Sequence, residues 1–179
     1  GNQNWMAENL RVTKYNDGTP IENVTVDDDW SDMTTGGYGE NGSYGNLYNW
    51  YAVTSNNGLC PDGWRIPTDD DWKELIAELG GEEVAGGKLK STRTEPDDHA
   101  RWNSPNTGAT NEADFRAYPA GERTSLGEFL DLGYYAYWWT STEYDANFAV
   151  SWYVGYDGTY IDYNYRRKRT GYSVRCIKE

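Results

Sequence analysis

The sequence predicts a single α+β domain spanning residues 1–179, with two short helices followed by a strand-rich C-terminal part. Three observations carry this prediction. Apolar residues recur at helical spacing in two segments before residue 80, and apolar and other residues alternate over residues 150–154. No long repeat or linker divides the chain, and 179 residues suit one domain.

Composition indicates a folded protein whose core depends on large aromatic side chains. Hydrophobic residues make up only 37% of the chain, yet aromatic residues reach 16%, with nine tryptophans and sixteen tyrosines. Disordered chains are poor in aromatic residues, so low hydrophobicity does not indicate disorder here. We therefore expect Trp and Tyr to fill positions that Leu and Ile occupy in most cores.

The net charge of −13 argues against two classes of partner. Nucleic acid requires a basic surface to neutralise its phosphates, and an acidic protein lacks one. Anionic membrane surfaces are disfavoured for the same reason. No stretch approaches 18 consecutive apolar residues, so we expect no direct membrane insertion by this chain.

Two helices are predicted. Leu47, Trp50 and Tyr51 share one face of a short helix near 45–55.

The second helix spans 68–79. Thr68 is its predicted N-cap, Asp71 resembles the reciprocal half of a capping box, and Gly80 ends it. Asp69, Asp70 and Asp71 are also a possible metal site, but the helix dipole favours negative charge in a first turn, so capping is the preferred interpretation.

The rest of the chain is predicted to be loops and strands. Residues 1–26 fit short strands with turns, 27–45 a polar loop, and 84–133 a long loop-rich region.

The strand at 150–154 has a predicted orientation. Alternation places Val150, Trp152 and Val154 inward and Ser151 and Tyr153 outward. A hairpin turn at Asp157-Gly158 would follow, with a returning strand at 159–165.

Few residues fit a catalytic role. His99 is the single histidine, and both cysteines lie in structural contexts, which disfavours a Ser-His-Asp or Cys-His arrangement. Carboxylate pairs for glycoside hydrolysis remain open, although no particular pair stands out. Cys60 and Cys176 lack zinc spacing, which leaves a disulfide or two unrelated buried thiols.

Calcium is the one cofactor that the sequence allows. Hard cations bind clustered oxygen ligands, and one acidic loop with asparagines nearby in sequence offers them. A solvated acidic loop is the commoner explanation for such a segment, so we predict no cofactor and no metal ligands. The residues concerned are Glu95, Asp97, Asp98, Asn103, Asn106 and Asn111.

Several motifs resemble the Fibrobacter major paralogous domain family. They extend from residue 4 to residue 176, and the closing one is the most specific. These motifs are Trp5-Met6-Ala7-Glu8-Asn9-Leu10, Tyr15-Asn16-Asp17-Gly18, Cys60-Pro61-Asp62-Gly63-Trp64-Arg65-Ile66-Pro67-Thr68, Gly86-Gly87-Lys88-Leu89-Lys90, Gly108-Ala109-Thr110-Asn111-Glu112, Tyr118-Pro119-Ala120-Gly121, Tyr137-Trp138-Trp139-Thr140-Ser141-Thr142-Glu143 and Gly171-Tyr172-Ser173-Val174-Arg175-Cys176.

This resemblance implies a C-type lectin-like fold, with two short helices, a loop-rich antiparallel sheet and neighbouring N- and C-termini. It implies a disulfide between Cys60 and Cys176, and hence an oxidising compartment. Members of the family are secreted or surface-attached bacterial proteins, often lipoproteins. We therefore expect an extracellular or cell-surface location.

Some proteins of this fold group are variable targets of diversity-generating retroelements, with variable residues on C-terminal strands and loops. Ten of the sixteen tyrosines lie between residues 134 and 172, and Tyr, Ser and Asn are favoured in binding surfaces. The predicted ligand-binding residues are Tyr144, Asn147, Ser151, Tyr153, Tyr156, Tyr160, Asp162, Asn164 and Tyr165.

The leading hypothesis is a non-enzymatic binding or display domain whose surface at 143–165 binds a protein or glycan at a cell surface. One alternative is a structural or adhesion module of a larger bacterial surface assembly. A second alternative is a carbohydrate-active enzyme.

Overall fold

The centre of the molecule is a three-stranded antiparallel sheet. The structure, a computed structural model, describes residues 1–94 and 99–179. The sheet contains β7 (Tyr135–Glu143), β8 (Phe148–Gly155) and β9 (Ile161–Arg167), in the order β7-β8-β9. Its two hairpin loops lie at opposite ends, and β9 is an edge strand.

The remaining elements are short. The helices are α1 (Asp27–Ser31), α2 (Trp50–Val53), α3 (Asp69–Glu78) and α4 (Glu82–Leu89). The other strands are β1 (Glu22–Asn23), β2 (Gly37–Gly39), β3 (Leu47–Tyr48), β4 (Trp64–Arg65), β5 (Glu122–Arg123), β6 (Phe129–Leu130) and β10 (Ile177–Lys178). They form the small sheets β1-β2-β3, β10-β4 and β5-β6, in which only the β1–β2 pair is parallel. The mixed α+β prediction is confirmed.

Both faces of the central sheet support a core. On the first face, Tyr137 and Trp139 pack with Tyr172 and the two cysteines. On the second face, Trp138 and Trp152 pack against α3 and α4. Six fully buried tryptophans confirm the aromatic core: Trp30, Trp72, Trp102, Trp138, Trp139 and Trp152.

Residues 171–176, called the closing segment, connect most of these elements. Its backbone bonds to the N-terminal segment at Met6 and Leu10, to β3 at Tyr48, to β5 at Arg123 and to β7 at Trp139. Cys176 forms a disulfide with Cys60, whose Cα lies 6.0 Å away. Since Trp5 also pairs with Ile177, the two termini lie side by side, as predicted.

A buried polar network fixes the closing segment from within. Arg175 is fully buried, donates to Asn9 Oδ1 at 2.7 Å and to the Phe115 carbonyl, and lies over the Phe115 ring. Burial lowers the pKa of Arg175 to about 9, which leaves the guanidinium charged at neutral pH. Asn9 Oδ1 also accepts from Trp138 Nε1 at 3.0 Å. This asparagine therefore joins the first sequence motif to the last.

Helix α3 matches its prediction closely. Thr68 and Asp71 form the expected capping box, and Asp71 also binds Arg65 through two bonds of 2.6 and 2.8 Å. Asp69 accepts from Trp152 Nε1 at 2.9 Å, which anchors the helix to the sheet. Two of the three aspartates are thus engaged in capping and anchoring.

The helix predicted near 45–55 is only partly correct. Leu47 and Tyr48 are strand β3 instead, because their backbone pairs with β2 and with Tyr172. The helix begins after Asn49, whose side chain accepts from Ala52 N, and it ends at Val53. Helix α1 was missed inside the predicted loop 27–45.

Helix α4 lies inside the region predicted to be loop-rich, because the pair Gly86-Gly87 is typical of loops. Both glycines lie within the helix, and each lies very close to the backbone of another segment. A Cβ on Gly86 would lie 2.1 Å from the Tyr160 carbonyl oxygen, and one on Gly87 would lie 2.5 Å from the Gly108 carbonyl oxygen. These glycines let the helix touch the loop before β9, so their role is packing rather than turning.

Removing the disulfide is expected to lower the free energy of unfolding by about 4–5 kcal/mol, because the bridge closes a long loop of the unfolded chain. The variant Cys60→Ala/Cys176→Ala and the reduced wild-type protein should show the same loss of unfolding free energy in urea denaturation. A loss below about 1 kcal/mol in both would contradict this prediction.

Acid should weaken α3 through Asp71. Its pKa is lowered from 3.8 to about 2, first by its hydrogen bonds with Arg65. The lowered pKa stabilises the folded state above pH 3.8, and this contribution is lost as the pH falls toward 2. Asp71→Asn should lower the free energy of unfolding by about 1 kcal/mol at pH 7, a modest loss because the Arg65–Asp71 pair is partly solvated. Between pH 3.8 and about 2, the free energy of unfolding of this variant should depend less on pH than that of the wild-type protein. The control Asp70→Asn, on a side chain 92% exposed, should do neither.

Candidate functional site

The predicted binding residues occupy three places around the central sheet. Tyr144 and Asn147 lie in the β7–β8 loop, and Tyr156 and Tyr160 lie in the β8–β9 loop at the opposite end. The others lie on the strands: Ser151, Tyr153, Asp162, Asn164 and Tyr165. The register divides these strand residues between both faces, so the nine residues do not form one continuous surface.

The outward orientation predicted for Ser151 is wrong. Its side chain is 0% exposed, because it faces the first core beside Trp139 and donates a hydrogen bond to Asn164 Oδ1. A sheet covered on both faces buries both sets of alternating residues in its middle strand. Ser151 therefore holds Asn164 in place and is not available to a ligand.

One exposed group lies on the second face, at the β7–β8 end. The rings of Tyr144 and Tyr165 stack with centroids 3.9 Å apart, and Tyr163 meets Tyr165 edge-on at 5.8 Å. All three side chains are exposed. Tyr163 was missing from the predicted set, although its spacing of two from Tyr165 places both on one face.

The first face carries a second group, which we call the tyrosine–acid surface: Tyr135, Tyr153, Tyr160, Asp131 and Asp162. Tyr153 Oη donates to Asp162 Oδ2 at 3.2 Å. Tyr135 and Tyr153 are half-buried with ring centroids 6.3 Å apart, while Tyr160 is 39% exposed. Sequence reasoning missed Tyr135 and Asp131, although Tyr135 begins the alternation that continues along β7.

Buried tyrosines support this surface from below. Tyr137 stacks on both Tyr135, at 5.8 Å, and the fully buried Tyr172, at 4.8 Å. Tyr137 Oη donates to Asp131 Oδ2 at 3.0 Å. A row of ring contacts thus runs from Tyr172 in the first core through Tyr137 to Tyr135 and Tyr153, and the exposed Tyr160 interacts electrostatically with both of these outer tyrosines.

The surface is electronegative. Burial raises the pKa of Tyr135 and of Tyr153, and nearby aspartates raise both further. Their hydroxyls consequently stay protonated at neutral pH and can donate hydrogen bonds. In the part of the chain that the structure describes, the ionisable groups that act on these two tyrosines are aspartates and other tyrosines.

Two buried lysines fix the hairpin loops beside these groups. Lys90 Nζ donates to the carbonyls of Thr107, Gly155 and Gly158 at 2.9, 3.0 and 2.8 Å. Burial lowers the pKa of Lys90 to about 8, so the ammonium is mostly charged at neutral pH. Lys168 Nζ similarly donates to the Ala146 carbonyl at 3.0 Å and to Glu143.

An apolar surface borders the tyrosine–acid surface. We call Leu126, Phe129, Leu130 and Leu132 the apolar hairpin; their exposed fractions run from 47% to 67%. Asp131, which belongs to the tyrosine–acid surface, lies between Leu130 and Leu132 in sequence, so this residue connects the two surfaces. This region falls in the predicted loops at 84–133, where no residue pattern indicated such exposure.

The acidic loop with the possible calcium ligands is described only in part. Glu95, Asp97 and Asp98 lie outside the described residues. Asn106 is buried and donates to the Ser91 carbonyl at 3.0 Å. Within residues 1–94 and 99–179, no group of three His, Cys, Asp or Glu side chains is placed to hold a metal ion.

The fold and its surfaces define a disulfide-bonded α+β domain with a tyrosine-rich, acidic sheet face. The model of the Fibrobacter succinogenes major domain matches residues 1–178, so the chain belongs to that bacterial family, as its motifs predicted. Comparison with curated proteins and with solved structures gives no match. None of the helices in the described ranges has the length and apolar character needed to cross a membrane.

The Lys90 contacts lead to a prediction about the β8–β9 loop. Lys90→Met keeps the aliphatic stem but removes the three donors, so buried carbonyls at Gly155 and Gly158 lose their partner. We expect a loss of about 2 kcal/mol in unfolding free energy and faster amide hydrogen exchange over residues 156–160. Lys88→Met, which breaks a surface pair with Glu112, is the matched control and should change neither. Unchanged exchange at 156–160 in Lys90→Met would show that the ammonium does not hold the loop.

Proposed function

We propose that this chain is a non-enzymatic binding domain, displayed outside the bacterial cell, that binds a protein or glycan through the tyrosine–acid surface. The observation that carries the proposal is the row of tyrosine rings leading from the core to Tyr135 and Tyr153, with the exposed Tyr160 and two aspartates beside them. Rigid tyrosines supply a large contact area at low entropic cost. The buried rings and Lys90 hold this area in one geometry before a ligand arrives.

The extracellular location is supported by the Cys60–Cys176 disulfide, because such bonds persist in oxidising compartments. A C-type lectin-like fold is part of the same proposal. Its support is the adjacent termini, the pairing of Cys60 with the closing segment, and the loop-rich antiparallel sheet. Diversification by a retroelement would act on exposed positions of β9 and the two hairpin loops. A near-repeat of the coding region for 143–175, differing only at adenines, would support it.

A second candidate function is a structural or adhesion module of a larger surface assembly. The apolar hairpin favours it, because contiguous exposed apolar side chains mark protein interaction sites. In that case the hairpin would pack within the assembly while the tyrosine–acid surface remained exposed.

The binding surface is tested by Tyr153→Ala/Tyr160→Ala. Binding to an array of bacterial surface proteins and glycans should fall at least tenfold, measured at a temperature at which circular dichroism shows the variant to be folded. Tyr144→Ala/Tyr165→Ala removes an equal number of rings from the second face and is the matched control. Full binding by the first variant, or loss only in the control, would reject the proposed surface.

A further inference from the structure

We infer that the ligand of the tyrosine–acid surface is a basic polypeptide segment, which places a lysine or arginine side chain on the rings between Asp131 and Asp162. This inference rests on the proposed function and specifies the chemical class of its ligand.

The hydrogen-bonding capacity of the surface favours a ligand rich in donors. Tyr137 and Tyr153 already donate to Asp131 and Asp162. Each carboxylate has about four acceptor positions. Asp131 uses one of them for Tyr137, and Asp162 uses two, because its Oδ1 also accepts from the Tyr163 backbone N–H at 2.8 Å. Acceptor positions therefore remain on both carboxylates. The surface thus offers free acceptors, whereas two of its nearest donors are engaged. Ammonium and guanidinium groups are donors without acceptors, which matches this arrangement.

The rings favour the same ligand. A cation over a tyrosine face is attracted by the quadrupole of the ring. The chain uses this contact repeatedly for its own cations: Arg123 lies over Trp30 at 4.3 Å and Lys168 over Trp50 at 4.7 Å. Tyr135 and Tyr153, by contrast, have aspartates and tyrosines as the ionisable groups that act on them.

Two cations of the described residues bear on this surface: Lys90, whose ammonium is bonded to three backbone carbonyls and interacts with Asp157, and Arg166, which lies on the same sheet face. Arg166 pairs across the sheet with Ala149, toward the opposite end from Tyr160. Its electrostatic partners include Glu122, Tyr172 and Tyr137. Glu122 provides the compensating negative charge, so Arg166 does not neutralise Asp131 and Asp162.

The net charge of the protein and the neighbouring apolar hairpin both favour a polypeptide as the ligand. A net charge of −13 accelerates the approach of basic partners and disfavours acidic ones. Leu130 and Leu132, on either side of Asp131 in sequence, are 47% and 51% exposed. A segment with basic and apolar side chains can contact both surfaces, whereas a neutral glycan leaves the free carboxylates without a charged partner.

The test measures binding of hexaarginine and hexalysine peptides, with hexaglutamate and cellohexaose as comparison probes. Asp131→Asn/Asp162→Asn removes two charges but keeps an acceptor for each tyrosine, and asparagine tolerates the positive φ of 63° at Asp131. Asp70→Asn/Glu82→Gln removes two charges on exposed helical positions and is the matched control.

At 50 mM NaCl, we expect the first variant to raise the dissociation constant for hexaarginine at least tenfold and the control to change it less than twofold. Binding of the wild-type protein should weaken steadily toward 500 mM NaCl. Equal weakening in the two variants, or no binding of either basic peptide by the wild-type protein, would overturn the inference.

The comparison probes separate this inference from the proposed function. Binding of cellohexaose that Tyr153→Ala/Tyr160→Ala abolishes and Asp131→Asn/Asp162→Asn leaves intact would reject the basic ligand while keeping the binding surface. Peptide binding that responds to the aspartate changes but not to the tyrosine changes would reject both the stacked cation and the proposed surface.

Discussion

The closing segment, residues 171–176, is the constraint on which the rest of the fold depends. Six residues connect the N-terminal segment, β3, β5 and β7 by backbone hydrogen bonds, and they carry the disulfide to Cys60. Arg175 adds a buried charge whose hydrogen bonds go to Asn9 and to the Phe115 carbonyl. Because so many short elements share this one support, none of them needs to be stable alone.

This support also determines which side chains of the sheet remain exposed. The closing segment and the first core cover one face of the sheet, and α3 and α4 cover the other. The middle strand β8 is therefore almost inaccessible, as Ser151 illustrates. Exposed side chains remain on the edge strand β9 and on the two hairpin loops. Lys90 and Lys168 fix these loops because their ammonium groups donate hydrogen bonds to backbone carbonyls there. Binding surfaces at these places are consequently rigid without being buried.

Local signals in the sequence predicted the features that depend on neighbouring residues. The capping residues around α3 and the hairpin turn near Asp157 belong to this group, and the motif resemblance added the Cys60–Cys176 pairing. Features that depend on distant contacts were missed. Gly86 is needed inside a helix because the backbone of Tyr160 leaves no room for a side chain, and Ser151 is buried because the first core covers its face.

The candidate site was predictable in composition but not in arrangement. The density of tyrosines after residue 134 identified the region, and Tyr153, Tyr160 and Asp162 do lie together. Strand register, which no local pattern reveals, put Tyr165 on the other face. Asp131 reaches the surface from the turn just before β7, where its side chain accepts from Tyr137. The exposure of the apolar hairpin likewise depends on which neighbours leave it uncovered.

The edge strand β9 has exposed positions at which the sequence can change without loss of the fold. Asp162, Tyr163 and Tyr165 reach solvent on opposite faces, while Ile161 alone in this strand belongs to the second core. Substitutions at exposed positions usually change stability by no more than about 0.5 kcal/mol. Copies of the domain can therefore exchange these side chains, and with them the chemistry of the exposed surface, while the same closing segment and the same tryptophans continue to fold the chain.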